Sequence, residues 1–163
     1  MKLTRAPETK ILTREELIKQ VKRWKAENKK IAFTNGCFDI LHPGHIFSLQ
    51  QAAVEADVLV VGINADLSVK KLKGENRPVN NQQARALVMA SLMMTDAVCI
   101  FDEDTPLELI KSVLPDVLVK GGDYTVDQIA GAKEVIAAGG KVIINPVLKG
   151  FSTTNIIDKM HGG

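Results

Sequence analysis

The chain has 163 residues, 45% of them hydrophobic and 25% charged, with a formal net charge of +2 at pH 7. This length suffices for one domain with its own core, and the small net charge gives no support to a nucleic-acid or membrane surface. Two cysteines, Cys37 and Cys99, lie far apart in the sequence, which excludes a disulfide framework and fits a reducing compartment.

The termini carry no targeting signal. The first residues are polar, without the apolar stretch of a signal peptide, and no run of about 18 apolar residues follows. We therefore expect a single cytoplasmic domain over residues 1–163, with residues 1–10 and 161–163 loosely held.

Five short β-branched runs predict the strands. Their apolar residues are continuous rather than alternating, as in strands covered on both faces. They cover residues 30–35, 57–64, 97–101, 116–120 and 141–145.

Helical patterns lie between these runs. Thr13 and Glu16 form a capping-box pattern that opens the first helix, and Pro43 and Gly44 open the second. Further helices are predicted over residues 80–94, 105–113, 127–138 and 152–160. Because strands and helices alternate, we predict an α/β fold, a doubly wound, Rossmann-like sheet of five parallel strands.

Three polar segments containing glycine follow predicted strands. They are "TNGCFDILHPGH" (34–45), "GINAD" (62–66) and "VKGGDY" (119–124). In doubly wound sheets, ligands bind beyond the carboxyl ends of the strands, where the strand order reverses. We therefore expect the three segments to meet at one site.

Two of the three histidines, His42 and His45, bracket Pro43 and Gly44 at the start of the second predicted helix. A zinc site using Cys37, His42 and His45 is conceivable, although the spacing matches no established pattern. A dinucleotide motif is absent, and Cys37 lacks the partners of a nucleophile, so a small buried side chain is the simpler role for both cysteines. A plain turn is the remaining alternative. Phosphate binding accounts for more, since a helix N-terminus offers free N–H groups and imidazoles add donors, or charge if protonated.

A second helix start shows the same pattern. Gly150 precedes three hydroxyl residues, Ser152, Thr153 and Thr154, whereas a simple cap needs only one hydroxyl. Lysines and an arginine in "VKKLKGENRP" add positive charge, which on its own is typical of a solvated surface. Lys120 differs, because it ends an apolar strand at the expected binding edge.

These motifs resemble a known family. "GCFDILHPGH" is similar to the G-x-F-D-x-x-H-x-G-H signature of the cytidylyltransferase-like nucleotidyltransferase superfamily, and "FSTT" is similar to its second signature. Together with "GINADLSVKKLKGENRPVN" and "FDEDTPLELIKSVLPDVLVKGGDY", they resemble the D-glycero-β-D-manno-heptose 1-phosphate adenylyltransferases, from about residue 11 to residue 160.

The resemblance implies ATP and a sugar phosphate as substrates, with Mg²⁺ as cofactor. It makes His42 and His45 triphosphate-binding residues that stabilise the transition state, and we add Lys120 as a third catalytic candidate. Mg²⁺ would be held mainly by the nucleotide phosphates, with Asp39 as the candidate protein ligand. The nucleotide-binding residues would be Thr34, Asn35, Gly36, Cys37, Phe38, Asp39, Gly44, Lys71 or Lys73, Ser152, Thr153 and Thr154. Candidate substrate-binding residues are Asn64, Asp66, Arg77 and Asp123.

One departure bears on the nucleotide base. Cytidylyltransferases of the superfamily carry R-Y-V-D-E where this chain reads "MMTDAV" (93–98), so the arginine is missing and an adenylyltransferase is favoured. In some bacteria such a domain is fused behind a sugar kinase. The length of this chain leads us to expect a separate heptose kinase, no nucleic-acid partner and no membrane attachment, with a homodimer left open. A cytidylyltransferase acting on a polyol or alcohol phosphate and a non-catalytic nucleotide-binding module remain the alternatives.

Overall fold

Five parallel strands form the central sheet of the computed structural model, which describes residues 6–162. The strand order is β3-β2-β1-β4-β5, and every neighbouring pair is parallel. The strands are β1 (Ile31–Gly36), β2 (Val58–Asn64), β3 (Ala97–Phe101), β4 (Val117–Gly121) and β5 (Lys141–Asn145). The predicted doubly wound α/β sheet is confirmed, and each predicted strand agrees with the observed one to within a residue.

Seven α-helices connect or flank the strands in the described part of the chain. They are α1 (Arg14–Ala26), α2 (Pro43–Ala53), α3 (Asp66–Lys73), α4 (Gln82–Ser91), α5 (Leu107–Val113), α6 (Ala132–Ala137) and α7 (Thr153–His161). The capping box predicted for Thr13 and Glu16 is present in α1.

Two helices differ from expectation. Helix α3 was missed because it is short and buries only Ser68 and Val69, so its apolar periodicity is weak. The helix predicted over residues 127–138 begins only at Ala132. Gly131 precedes it with a φ of 82°, a left-handed conformation that interrupts a helix, and a Cβ there would lie 2.6 Å from Cγ2 of Ile110.

The N-terminal segment is more ordered than predicted. Pro7–Lys10 form a 3₁₀ turn, and the Lys10 ammonium donates to the carbonyls of Leu92 and Thr95 at 3.3 and 2.8 Å. The expectation of a loose segment is therefore wrong for residues 7–10, and His161 still belongs to α7. Of the other positions in that expectation, residues 1–5 and 163 lie outside the described part, and residues 6 and 162 are exposed and belong to no helix or strand.

Two apolar clusters cover the two faces of the sheet. Leu17 and Val21 of α1 pack with Phe33 on one face, and Leu49 of α2 packs with Met89 of α4 on the other. Burying one such side chain contributes about 1.5–3 kcal/mol. In residues 6–162, no helix combines the length and the apolar character needed to cross a bilayer.

The strand order places the candidate site. From β1 the chain proceeds outward to β2 and β3, and then returns to the other side of β1 with β4 and β5. The connections leaving β1 and β4 therefore diverge, and a crevice opens between them at the carboxyl ends of the strands.

Candidate functional site

A cavity of about 540 Å³ occupies this crevice. All three polar segments singled out in the sequence contribute to it, as do the starts of α2 and α7. Its lining includes Asn35, Gly36, Cys37, Phe38, Asp39, His42, His45, Asn64, Lys73, Arg77, Lys120, Ser152, Thr153 and Thr154.

The two histidines form a stacked pair at the start of α2. Their ring centroids are 3.8 Å apart with an interplanar angle of 22°. The Phe38 ring meets His45 edge-on at 5.3 Å, and the Phe151 ring lies 6.3 Å from that of His42. Gly44 makes room for this packing, because a Cβ there would lie 3.0 Å from the His42 ring and 3.3 Å from Cβ of Phe151.

The first turn of α2 retains an unsatisfied donor. His42 is the N-cap residue, but its side chain makes no capping hydrogen bond, and Pro43 has no N–H to satisfy. The N–H groups of His45 and Ile46 donate to the His42 carbonyl. Within residues 6–162, the Gly44 N–H has no acceptor, so it is free for an anion.

Both histidines are neutral near pH 7. Burial lowers the pKa of His45 from 6.5 to about 4, with a smaller contribution from His42, and burial also lowers the pKa of His42. The Nδ1 atoms of both rings are buried and have no hydrogen-bond partner in the described part. The histidines are therefore hydrogen-bond donors rather than the fixed positive charges that protonated rings would supply, and no protein group fixes their tautomers.

The second helix start faces the same cavity. The Ser152 hydroxyl caps α7 by accepting from the Asn155 N–H at 3.2 Å. The Thr153 hydroxyl donates to the Ile40 carbonyl at 3.3 Å, which ties α7 to the loop before α2. Thr154 also lines the cavity, so the two helix starts meet across one space.

Asp39 lines the cavity, but its carboxylate is bonded to other groups of the protein. Its buried carboxylate accepts from Nε of Arg77 at 2.8 Å and from the backbone N–H groups of Val79 and Asn80. These bonds outweigh burial and lower the pKa of Asp39. Because these internal donors already occupy both carboxylate oxygens, Asp39 does not fit as a metal ligand, and Arg77 is engaged with Asp39 at the cavity wall.

The three candidate lysines differ in their position relative to the cavity. Lys73 lines the cavity, whereas Lys71 pairs with Asp104 at 3.0 Å on an exposed surface. Burial lowers the pKa of Lys120, which lies at the end of β4 with its ammonium 5.5 Å from the centre of the Tyr124 ring. Among the described residues, Lys120 has no hydrogen-bond acceptor and no ion-pair partner, so it is a cation without a protein counter-charge.

Other candidates divide between the cavity and its surroundings. Asn64 lines the cavity and donates to the Ser68 hydroxyl at 3.0 Å. The other substrate-binding candidates, Asp66 and Asp123, do not line it: Asp66 pairs with Arg85, and Asp123 is exposed. Thr34 is buried in β1 away from the lining.

The two cysteines differ in burial and in their position relative to the cavity. Cys99 is buried, as predicted, but Cys37 is only half-buried and lines the cavity. Burial raises the pKa of the Cys37 thiol, so the structure gives no support to a nucleophile.

Sequence reasoning missed several site residues. Tyr124, Gln128, Ile129 and Ala130 form part of the wall after β4. Their only signal is the position of residues 124–130 after "VKGGD", and the misplaced helix start obscured it. Arg85, which is fully buried beneath the site, was also missed.

A protein-built metal cage is not formed by the described residues. No group of three or more His, Cys, Asp or Glu side chains among them is arranged to hold a metal ion. The zinc alternative with Cys37, His42 and His45 is therefore not supported, and Asp39 is already saturated.

A cytidylyltransferase-like family model matches residues 33–159. The chain belongs to this family. The resemblance found in the motifs is thereby confirmed, and nucleotidyl transfer is the chemistry of the family. Enzymes of this type generally use a divalent metal with their nucleotide and act on small molecules such as ATP and a sugar phosphate.

Curated relatives agree with this assignment. The chain is 56% identical over 153 residues to the bifunctional protein HldE of Hyphomonas neptunium, covering 94% of this chain and 32% of that protein. The HldE proteins of Caulobacter vibrioides and Rhodospirillum rubrum are 54% and 51% identical, over 94% and 97% of this chain and 32% of each relative. The chain thus spans about a third of the length of these relatives.

Solved structures share the fold. The lipopolysaccharide core biosynthesis protein of Thermoplasma volcanium is 26% identical with a TM-score of 0.59, over 74% of this chain and 98% of that one. The pantoate-beta-alanine ligase of Francisella tularensis, at 17% identity and a TM-score of 0.60 over 94% of this chain and 78% of that one, shows the fold alone.

Proposed function

We propose that the chain transfers the adenylyl group of ATP to D-glycero-β-D-manno-heptose 1-phosphate, giving ADP-heptose and pyrophosphate. The observation that carries this proposal is the meeting of the stacked His42–His45 pair and the Ser152–Thr154 hydroxyls in one cavity. The heptose is supported by the four sequence blocks that resemble heptose 1-phosphate adenylyltransferases. It is also supported by the HldE relatives and by the lipopolysaccharide core protein of similar fold.

The reaction starts with an oxygen of the sugar phosphate attacking the α-phosphorus of ATP. A phosphate monoester has a second pKa of about 6, so it is mostly dianionic at pH 7 and needs no general base. The new P–O bond forms as the bond to the β-phosphate oxygen breaks, and pyrophosphate leaves with the electron pair. The enzyme must therefore bring two anions together and stabilise charge on the leaving group.

The α2 start suits that second task. The Gly44 N–H and the imidazoles of His42 and His45 would donate hydrogen bonds to the phosphate chain, and the helix dipole would add a favourable field. A bound phosphate would itself select the tautomer, because each neutral ring can place its single proton on the nitrogen that faces the anion. The Ser152 and Thr154 hydroxyls would donate to the nucleotide phosphates from the α7 side. The Thr153 hydroxyl already donates to the Ile40 carbonyl, so it would support nucleotide binding by holding this helix start in place.

Lys120 and Lys73 suit the first task. Lys120 has no ion-pair partner among residues 6–162, and Lys73 lines the same cavity. We assign Lys120 to the anionic acceptor or the α-phosphate, since a half-buried unpaired ammonium gains most from an incoming anion. Between the two lysines that the sequence left open, we assign the phosphate contact to Lys73, because Lys73 lines the cavity, whereas Lys71 does not and is an exposed side chain paired with Asp104.

We propose Mg²⁺ as the divalent metal, entering with ATP and neutralising its phosphates. The described side chains provide no carboxylate cluster that would hold it separately. The remaining predictions stand with this function: the chain acts as one domain in the cytoplasm, where ATP is available, with no nucleic-acid or membrane partner. A kinase step must supply the heptose 1-phosphate, and a homodimer remains open.

The test is a pyrophosphate-release assay with ATP or CTP at equal concentration, Mg²⁺ and a panel of sugar and polyol phosphates, with mass detection of the product. We expect turnover with ATP and the heptose 1-phosphate, and a CTP rate at least about tenfold lower, equivalent to roughly 1.4 kcal/mol in the transition state. A preference for CTP with glycerol phosphate would replace the proposal with a cytidylyltransferase. Nucleotide binding without turnover on any acceptor would leave a binding module.

A further inference from the structure

Arg85 is a fully buried arginine beneath the site, in the middle of α4. Its guanidinium donates to acceptors in three separate segments. Nη1 reaches the Cys37 carbonyl at 2.6 Å, Nε reaches the Asn80 carbonyl at 3.0 Å, and Nη2 reaches the Asp66 carboxylate at 2.8 Å. Only the planar fork of an arginine can serve three such directions at once.

The loop after β1, whose Cys37 carbonyl binds Arg85, is also held at Asp39. The Asp39 carboxylate accepts from Arg77 and from the backbone of Val79 and Asn80, while the Asn80 side-chain amide donates to the Asp39 carbonyl at 2.8 Å. Arg85 binds the carbonyl of Asn80 in turn. The segment before α4 and the loop after β1 therefore fix each other through buried polar contacts.

The residue between these two anchors is strained. Phe38 has a φ of 48°, in the left-handed region that a bulky side chain avoids, and such a conformation persists only where the surroundings impose it. Cys37 and Asp39, the residues on either side, are the ones that the network binds. This conformation places the Phe38 ring against His45, with the two rings in an edge-to-face arrangement and 5.3 Å between their centroids.

We propose that Arg85 is a positioning residue for the histidine pair: by fixing the Cys37 carbonyl, it keeps Phe38 left-handed and its ring against His45. Arg85 does not line the cavity, so it acts only through the loop. The kinetic part of this inference rests on the proposed function, whereas the structural part does not depend on any substrate.

The experiment compares Arg85→Lys, which keeps the charge but loses the fork, with the folded wild-type chain. We expect kcat to fall about 10–100-fold, because small misplacements of catalytic groups carry losses of that order, with the KM for ATP changing less than about threefold. In substrate-free protein, NMR titration of the His45 ring should show its pKa moving from about 4 toward 6.5, since Phe38 no longer buries it.

One further variant keeps the test decisive if Arg85→Lys folds poorly, and a double variant and a control sharpen it if Arg85→Lys folds well. Asp66→Ala removes the outermost, partly exposed partner of Arg85 and should produce smaller changes in the same direction. Phe38→Leu combined with Arg85→Lys should be no slower than Phe38→Leu alone, because both act through one ring. Val113→Ala, in the apolar cluster on the other face of the sheet, controls for general destabilisation and should leave the His45 titration unchanged.

An unchanged His45 titration in Arg85→Lys, or losses of kcat that add in the double variant, would overturn the proposal and leave Arg85 a purely structural residue. Failure of the wild-type chain to turn over any acceptor would instead overturn the proposed function. The substrate-free titration would then still decide whether Arg85 positions His45.

Discussion

The two helix starts that share the cavity are built in opposite ways. Helix α2 is embedded: Gly44 at its start and Leu49 and Ala52 further along are buried, and the histidine rings pack with Phe38 and Phe151. By contrast, α7 has no buried residue. Helix α7 is capped by its own Ser152, whereas the N-cap side chain of α2 caps nothing.

This difference indicates a division of labour. Stabilising a transition state requires donors that are already in place, because reorganising them during the reaction costs free energy. The packed α2 start meets that requirement. A helix with few apolar contacts opens locally at low cost, so the α7 start is better suited to holding the nucleotide than to stabilising the reacting charge.

The strongest way to break this comparison is to remove a donor from the α2 start. His45→Ala should keep the fold but lower kcat by about 10²–10³-fold, as the loss of one preorganised donor does. His42→Ala should behave similarly, with kcat and the free energy of unfolding measured in parallel. If both variants fold and retain near-normal rates, the α2 start is not the catalytic one.

Lys120 lies on neither helix start and sharpens the comparison. Losing a hydrogen bond to a charged group costs about 1.5–3 kcal/mol, so Lys120→Ala should raise the KM for the sugar phosphate at least about tenfold. Thermal stability should change little, because Lys120 has no acceptor or ion-pair partner among the described residues. Lys141→Ala is the matched control, because Lys141 pairs with Glu55 on an exposed surface and neither residue lines the cavity. Intact kinetics with a large loss of stability would make Lys120 structural.

A smaller effect is expected at the α7 start. Thr153→Val removes the hydroxyl that contacts Ile40 while keeping the side-chain volume. A neutral hydrogen bond contributes about 1 kcal/mol to holding α7 against the loop before α2, so the KM for ATP should rise by at most about fivefold while kcat at saturating ATP stays nearly constant. A kcat loss as large as that of His45→Ala would show that both helix starts act on the transition state.

The last prediction concerns the pH dependence of stability rather than the rate. Because the pKa of His45 is about 4 when folded and 6.5 otherwise, the unfolded chain binds more protons between these values. The free energy of unfolding should therefore fall as the pH is lowered from 6.5 to 4, and remain unaffected by His45 above 6.5. Denaturant titrations at pH 7, 5.5 and 4.5, in wild type and His45→Gln, should show a shallower decline in the variant. Parallel curves would mean that His45 is not desolvated.

The sequence allowed the strands to be predicted well because they are buried on both faces, and continuous apolar runs carry that signal directly. Helix α3 gave little signal, since most of its face is solvated. The choice between Lys71 and Lys73 depended on which side of α3 faces the cavity, which spacing alone did not decide. Both failures concern the direction in which the side chains of α3 face, not the chemical groups that they carry.

The site was harder to predict where burial changes chemistry. A fully buried arginine in a helix of mixed polarity looks in sequence like a solvated one, so Arg85 escaped notice. Asp39 was a candidate metal ligand in the sequence, where nothing indicates that backbone N–H groups about 40 positions later in the chain bind its carboxylate. The neutral state of the histidines likewise depends on burial, and the rings of Phe38 and Phe151 lie against them only in the folded chain.

The empty cap of α2 has a consequence for how the protein can be improved. Serine or asparagine at position 42 would accept a hydrogen bond from the first turn, and such caps stabilise a helix by about 1 kcal/mol. Selection for heat resistance alone would therefore favour replacing His42, and selection for turnover would restore it. The stabilisation that a capping side chain would add is therefore stability that the protein lacks because His42 occupies the anion-binding helix start.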